Sequence, residues 1–153
     1  MSRDRQTKSD NYMEMACVCA KRSHDAETQV GAVLVNNESG AIMATGYNGF
    51  VRGAPDRKLP CTRPEKYEYI LHAEQNLIAN CARHSISMDN CTLYCTLSPC
   101  KVCMRMLLNC GITKVIAREL YKDFDEILKM QDIKVVLTVN TEDGYNHISY
   151  QVD

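Results

Sequence analysis

Hydrophobic positions recur along this chain with two periods. Over residues 10–22 the side chains Met13, Ala16, Cys17 and Ala20 fall at i, i+3, i+4 and i+7. That spacing predicts a helix with one apolar face and with Asp10 or Asn11 as its cap. Two β-rich runs follow, Gly31 to Val35 and Ala41 to Gly46, and the polar turn Asn36 to Gly40 predicts that they form a hairpin. A polar insertion over residues 54–70 carries Pro55, Pro60 and Pro64. A helix then opens at His72 and continues through Leu77, Ile78 and Cys81. The run Cys91 to Leu97 reads as a buried strand. Ser98 as N-cap and Pro99 at the first helical position predict another helix, through Met104, Leu107 and Leu108 to a stop near Gly111. Lys114 to Arg118 is a strand, Phe124 to Met130 a short helix, and Lys134 to Val139 a strand. This order predicts a three-layer α/β/α architecture with a mixed five-stranded sheet, helices on both faces and the final three strands parallel. The alternation Ile148, Tyr150, Val152 fits either one more strand or an oligomer contact.

Composition narrows the class. The chain has 153 residues, 45% of them hydrophobic, which suits a single domain spanning 1–153. Lys and Arg total 18 against 19 Asp and Glu, for a net charge of −1, so no basic balance points to nucleic acid as a partner. Residues 1–10 are polar, and no apolar run approaches the roughly 18 residues of a membrane span. Nine cysteines without a secretory leader point to a reducing, cytoplasmic setting, in which thiols are core residues or metal ligands.

The chemistry concentrates in two clusters, His72-Ala73-Glu74 and Pro99-Cys100-Lys101-Val102-Cys103. His72, Cys100 and Cys103 are three zinc-type ligands, and a three-ligand zinc keeps one tetrahedral position for water. Glu74 is two residues from His72, within reach of that water without ligating the metal. The two cysteines are three apart in a first helical turn, where the positive end of the helix dipole favours thiolate. Gly46 to Gly53 holds three glycines in eight residues together with Arg52, a composition that lets backbone approach a ligand. Elsewhere the bland reading prevails. Cys17 and Cys19 point to different helix faces and are expected to be buried thiols. Cys91 and Cys95 share a strand face as packing residues, Cys61 has no partner set, and His84 and His147 have no metal-ligating company.

Taken together, these motifs resemble the deoxycytidylate (dCMP) deaminases of the cytidine-deaminase-like superfamily, over roughly residues 11–139. Beyond the zinc signature the resemblance rests on Ala20-Lys21-Arg22-Ser23 with Asp25, on Gln29-Val30-Gly31-Ala32, on Gly46-Tyr47-Asn48-Gly49 and on Tyr121-Lys122-Asp123. It implies hydrolytic conversion of dCMP to dUMP and ammonia, supplying dUMP for thymidylate synthesis. One catalytic Zn²⁺ per subunit would be held by His72, Cys100 and Cys103, with Glu74 as the proton shuttle. It further implies that Ala73 and Ser98 bracket the pyrimidine edge, that Asn48 and Tyr121 contact sugar and ring, and that Arg22 and Ser23 meet the 5′-phosphate, with Thr28 also in the substrate set. Many members are hexamers activated by dCTP with Mg²⁺ and inhibited by dTTP. The corresponding effector residues here are Asn48, Gly49, Phe50, Arg52 and Gly53, while Val51 replaces the usual Pro. The setting implied is the cytoplasm, or the host cytoplasm for a viral protein. Neighbouring readings are a deaminase acting on both dCTP and dCMP, a tRNA adenosine deaminase, and a catalytically inert zinc scaffold. The slightly acidic charge and the Gly46-Tyr47-Asn48-Gly49 element argue against tRNA, and the intact Glu74 argues against a scaffold.

Overall fold

In a computed structural model the described residues are 2–122, 124–130, 134–139 and 141–151. Helix α1 spans Lys8–Ala20, and the hairpin strands β1 and β2 span Gly31–Asn36 and Ile42–Tyr47. Two short 3₁₀ turns, Asp56–Lys58 and Glu65–Glu68, lie in the polar insertion before helix α2, Ala73–His84. Strand β3 (Cys91–Leu97), helix α3 (Lys101–Asn109), strand β4 (Lys114–Glu119) and helix α4 (Phe124–Leu128) follow. Strands β5 (Lys134–Thr138) and β6 (Asn146–Gln151) complete the order.

The cap of α1 is Thr7, whose hydroxyl accepts a hydrogen bond from the Asp10 N–H at 3.1 Å. Asp10 thereby falls inside the first turn, where a carboxylate suits the helix dipole, and does not cap. Met13, Ala16 and Ala20 form the buried face as the periodicity predicts, but Cys17 and Cys19 are only half-buried. They sit on the shoulders of the apolar stripe, and Cys17 Sγ accepts from Arg118 Nη1 at 3.0 Å.

Residues of β1 alternate between two cores. Val33 and Val35 pack towards α1 with Tyr94 and Ile116. Ala32 and Leu34 belong to the larger core with Leu77, Leu93, Met104 and Leu107. A strand buried on both faces can read as a continuous apolar run, as Ala32 to Val35 does, and in β3 even the face that carries Thr92, Tyr94 and Thr96 is buried. Each fully buried leucine contributes roughly 1.5–3 kcal/mol. The three layers are therefore α1, the sheet, and the remaining helices.

The sheet has six strands, not five, in the order β2-β1-β3-β4-β6-β5. β3 and β4 are parallel, but β6 lies between β4 and β5 and runs antiparallel to both, with Ile148 facing Val115 on one side and Leu137 on the other. β5 keeps the direction of β3 and β4 without pairing with β4. Burial explains the insertion: Ile148 is fully buried and Tyr150 nearly so, whereas β5 is exposed or half-buried throughout and suits an edge. The Ile148 and Tyr150 alternation is thus a strand; Val152 lies outside the described residues.

Two close approaches fix the end of the sheet where α2 begins. The β2 backbone at Gly46 meets α2 so closely that a Cβ would stand 2.5 Å from the Ala73 carbonyl oxygen. The insertion is anchored by a buried ion pair, in which Lys66 Nζ lies 2.7 and 3.0 Å from the two Asp25 carboxylate oxygens, with the side chains 4% and 5% exposed. Burial pushes the Asp25 carboxyl up, yet hydrogen bonds from Lys66 and from the Glu27 and Thr28 N–H groups outweigh it and hold it below its ordinary value.

Replacing Asp25 by Asn leaves the buried Lys66 ammonium with the longer, part-exposed contact to Glu27 at 3.5 Å as its remaining ion pair, and the expected loss is about 3 kcal/mol in urea unfolding. Adding Lys66→Met should restore a large part of it; a second loss of equal size would show that the two groups do not act as a pair. Because the folded carboxyl lies below its ordinary 3.8, the wild-type advantage is present above that pH and fades as pH falls through the lower folded value.

Candidate active site

The ends of four strands and the starts of two helices surround one cavity. β1 begins there after Val30, β2 leads there to Asn48, β3 ends there at Leu97 and is followed by Ser98, and β4 leads to Tyr121. His72 is the N-cap of α2, with extended backbone, and its own N–H donates to Gln75 Oε1 at 2.8 Å. Cys100 is the N-cap of α3, and Cys103 follows in its first turn. Ser98 does not cap this helix. The chain stays extended through Pro99, so that Ser98 N–H donates to the Glu119 carbonyl at 2.8 Å and its hydroxyl oxygen accepts from Tyr121 N–H at 2.6 Å. Ser98 thus ties the end of β3 to the segment after β4.

His72 Nδ1 lies 3.6 Å from Cys100 Sγ and 3.4 Å from Cys103 Sγ, and all three ligand atoms fall within 4.8 Å of one another. Metal–ligand bonds of about 2.3 Å to sulfur and about 2.0 Å to nitrogen give tetrahedral sulfur–nitrogen edges of about 3.5 Å. The donor set and its spacing therefore fit zinc. Among the described residues, this is the group of three or more metal-competent side chains.

Electrostatics here separate the two thiols. A hydrogen bond from Cys103, supported by His72 and the Cys103 N–H, brings the Cys100 thiol down to about 4. Its own hydrogen bond to the Cys100 sulfur, with burial and the Glu74 carboxyl, pushes Cys103 upward. The Cys100 sulfur raises His72 in turn. Glu74, 4% exposed, is hydrogen-bonded to Cys103, and burial pushes its carboxyl up to about 7. A carboxyl poised near neutrality can both take and return a proton.

Of the residues expected to hold substrate, Thr28, Asn48, Ala73, Ser98 and Tyr121 line this cavity with His72, Glu74 and Cys100. Arg22 and Ser23 do not. The Ser23 hydroxyl accepts from Asp25 N–H at 3.1 Å, and the turn this makes presents Asp25 to the cavity instead. The Asn48 amide is occupied in positioning: its oxygen accepts from Val30 N–H and its nitrogen donates to the Thr28 carbonyl, both at 2.8 Å. Asp25, part of the motif that begins at Ala20, also lines the cavity, as do Arg63, Lys66 and Tyr67, three residues outside every motif of the sequence. The available signal was two cations and a tyrosine within ten residues before His72, in a segment that otherwise reads as solvated.

The five expected effector residues form one turn after β2. Asn48, Gly49 and Phe50 are buried, and a Cβ at Gly49 would stand 2.4 Å from His24 Nδ1. That nitrogen accepts from the Phe50 N–H at 3.2 Å, and the two rings stack with centroids 4.8 Å apart. Arg52 Nη2 donates to Asn80 Oδ1 on α2 at 3.1 Å, and Gly53 follows with positive φ. Asn48 alone of the five also lines the cavity. Asp123 of the Tyr121-Lys122-Asp123 element lies outside the described residues.

Comparison with known proteins agrees with this geometry. Residues 6–119 match the model of the cytidine and deoxycytidylate deaminase zinc-binding region. The chain is 38% identical over 122 residues to the human deoxycytidylate deaminase, covering 75% of this chain and 67% of that one. A crystal structure of the dCMP deaminase from the cyanophage S-TIM5 in complex with dCMP and dUMP superposes with a TM-score of 0.66 at 32% identity, over 83% of this chain and 93% of that chain. The apo form of the same phage enzyme gives a TM-score of 0.64 at 34% identity, over 79% of this chain and 90% of that chain. With the family's matched region enclosing the ligand triad and the buried carboxylate, this chain belongs to the cytidine and deoxycytidylate deaminase zinc-binding family.

Proposed function

We propose that the protein is a zinc-dependent dCMP deaminase, hydrolysing dCMP to dUMP and ammonia. The observation that carries this reading is the buried Glu74 carboxyl set against a three-ligand His72, Cys100 and Cys103 cluster on the wall of a cavity. The relatives that resemble the chain over most of its length are named for the same substrate.

When bound by those three residues, zinc would supply the Lewis acidity that makes water a nucleophile near neutral pH. Glu74 does the proton work. Its carboxylate takes a proton from the attacking water and passes it to N3 of the ring while the oxygen–C4 bond forms. It then takes the proton of the new C4 hydroxyl and delivers it to the amino group, so that the C4–N4 bond breaks, ammonia leaves and C4 becomes a carbonyl. Ala73 and Ser98 backbone groups bracket the pyrimidine edge, and Tyr121, whose N–H is held by Ser98, closes the side next to β4. The substrate's base is already exposed in a free nucleotide, so no base has to be drawn out of a duplex.

The same reading extends to regulation, with dCTP and Mg²⁺ as activator and dTTP as inhibitor of a homo-oligomer, a hexamer by resemblance. Its support is the turn Asn48 to Gly53. One end of that turn lines the catalytic cavity, and its Arg52 is hydrogen-bonded to α2, the helix that carries Glu74.

Glu74→Gln should keep about one zinc per chain by metal analysis and lose roughly 10²–10⁴ in ammonia release from dCMP. Retained turnover would remove Glu74 from the mechanism. Dialysis against a chelator should abolish turnover and added Zn²⁺ restore it, whereas Cys103→Ser should lower zinc stoichiometry below one; full activity of metal-free protein would sink the zinc reading. With wild-type enzyme, dCMP saturation curves should shift to lower concentration with dCTP plus Mg²⁺ and to higher with dTTP. Curves unmoved by either triphosphate would end the regulatory part.

A further inference from the structure

Four charged side chains form a ladder from the interior to the cavity mouth. Asp25 and Lys66, both buried, make its base. Lys66 Nζ lies 3.5 Å from Glu27 Oε1, and Glu27 Oε2 lies 3.2 Å from Arg63 Nη1. Exposure rises along it, to 32% at the Glu27 side chain and 52% at Arg63. The signs alternate and the series ends in a cation that lines the cavity.

Arg63 is held in place before any ligand arrives. Its backbone N–H donates to Glu27 Oε1 at 2.5 Å, its Nε to the Tyr67 hydroxyl at 2.8 Å and its Nη2 to Thr28 Oγ1 at 3.3 Å. Nη1 donates to Glu27 at 3.2 Å. A guanidinium has five N–H donors. Three have protein partners here, leaving one N–H on each terminal nitrogen for the oxygens of a phosphoryl group. The other basic ladder residue, Lys66, spends its charge on Asp25 and is 3% exposed. Arg22, the cation expected for this task, does not line the cavity.

We propose that Arg63 reads the 5′-phosphate of the substrate, and that Glu27, by fixing the guanidinium and placing a negative charge beside it, sets a preference for one phosphate over three. The inference rests on the dCMP reading above and adds to it the residue that discriminates nucleotide from nucleoside. Thr28 and Tyr67 complete the cradle through their hydroxyls. A chain of additional phosphates has to pass Glu27, and like charges at that point disfavour the longer ligand.

The test uses zinc-loaded full-length protein and three variants, Arg63→Ala, Arg63→Lys and Glu27→Gln, assayed with dCMP, dCTP and deoxycytidine. Binding of dUMP and deoxyuridine is measured by calorimetry alongside. Arg63→Ala should raise KM for dCMP roughly ten- to hundredfold, the worth of a charged hydrogen-bond pair, with kcat little changed. It should weaken dUMP binding by a similar factor and leave deoxyuridine binding unchanged. Arg63→Lys should recover only part of the loss, because an ammonium lacks the planar fork. Glu27→Gln should raise the ratio of dCTP to dCMP turnover severalfold. Equal losses for dUMP and deoxyuridine in Arg63→Ala, or no loss for either, would overturn the assignment while leaving dCMP deamination intact. Wild-type protein without turnover of dCMP would overturn the underlying reading and this inference with it. An unchanged dCTP to dCMP ratio in Glu27→Gln would remove Glu27 from the discrimination.

Discussion

Two helices of this protein begin at the same point in space, and much of the structure exists to bring them there. Helix N-termini leave unsatisfied N–H groups and carry positive partial charge. At this point they face His72, Cys100 and Cys103, each in the cap or first turn of α2 or α3. Such an arrangement lowers the cost of ionised sulfur, and it is stable only if neither helix can slide. α2 is held by direct backbone contact with β2, which Gly46 permits. α3 is held by β3, whose continuation through Ser98 is pinned to the segment after β4. The strands between are buried on both faces, so the apolar cores on either side of the sheet resist displacement of either helix.

The second constraint is electrical and comes from the polar insertion. A segment rich in charge and proline has little apolar surface with which to dock. It attaches instead through Lys66 to Asp25, a pair whose desolvation is offset by the hydrogen bonds converging on the carboxylate. Asp25 also receives a weak hydrogen bond at 3.4 Å from Asn48, so the insertion, the α1–β1 loop and the end of β2 meet at one carboxylate. One wall of the cavity is therefore built from long-range polar contacts, while the opposite wall is built from helix caps.

This division explains what could be read from the sequence. The ligand triad and Glu74 were legible because metal chemistry demands particular residue types at short, fixed spacings. The strands β1 and β3 were legible as short β-rich runs, and the buried face of α1 because burial on one side of a helix imposes a period. The cap of α3 was misplaced because Ser98-Pro99 has the composition of a helix start; the hydrogen bonds that keep it extended come from Glu119 and Tyr121, more than twenty residues away. Asp25 and Lys66 are 41 residues apart, and neither carries a local sign that it is buried. Arg63 escaped notice for the same reason. The alternation at Ile148 and Tyr150 announced a strand, but no local pattern says which neighbours a strand will choose. Its position between β4 and β5 follows from comparing burial across the sheet, which is a tertiary quantity.

That position has a consequence for the order of assembly. Strands β1 to β4 follow one another along the chain and carry the cavity between them, so the catalytic half can take shape while later residues are still being synthesised. β5 is made next but has no partner waiting, because among the described residues it pairs with β6 alone. The β4 edge is likewise left open until Asn146–Gln151 arrives to close both gaps at once. During synthesis the nascent chain thus presents an unpaired strand edge for as long as it takes to extend from Glu119 to Gln151, and that interval is where pairing with another chain competes most directly with correct closure.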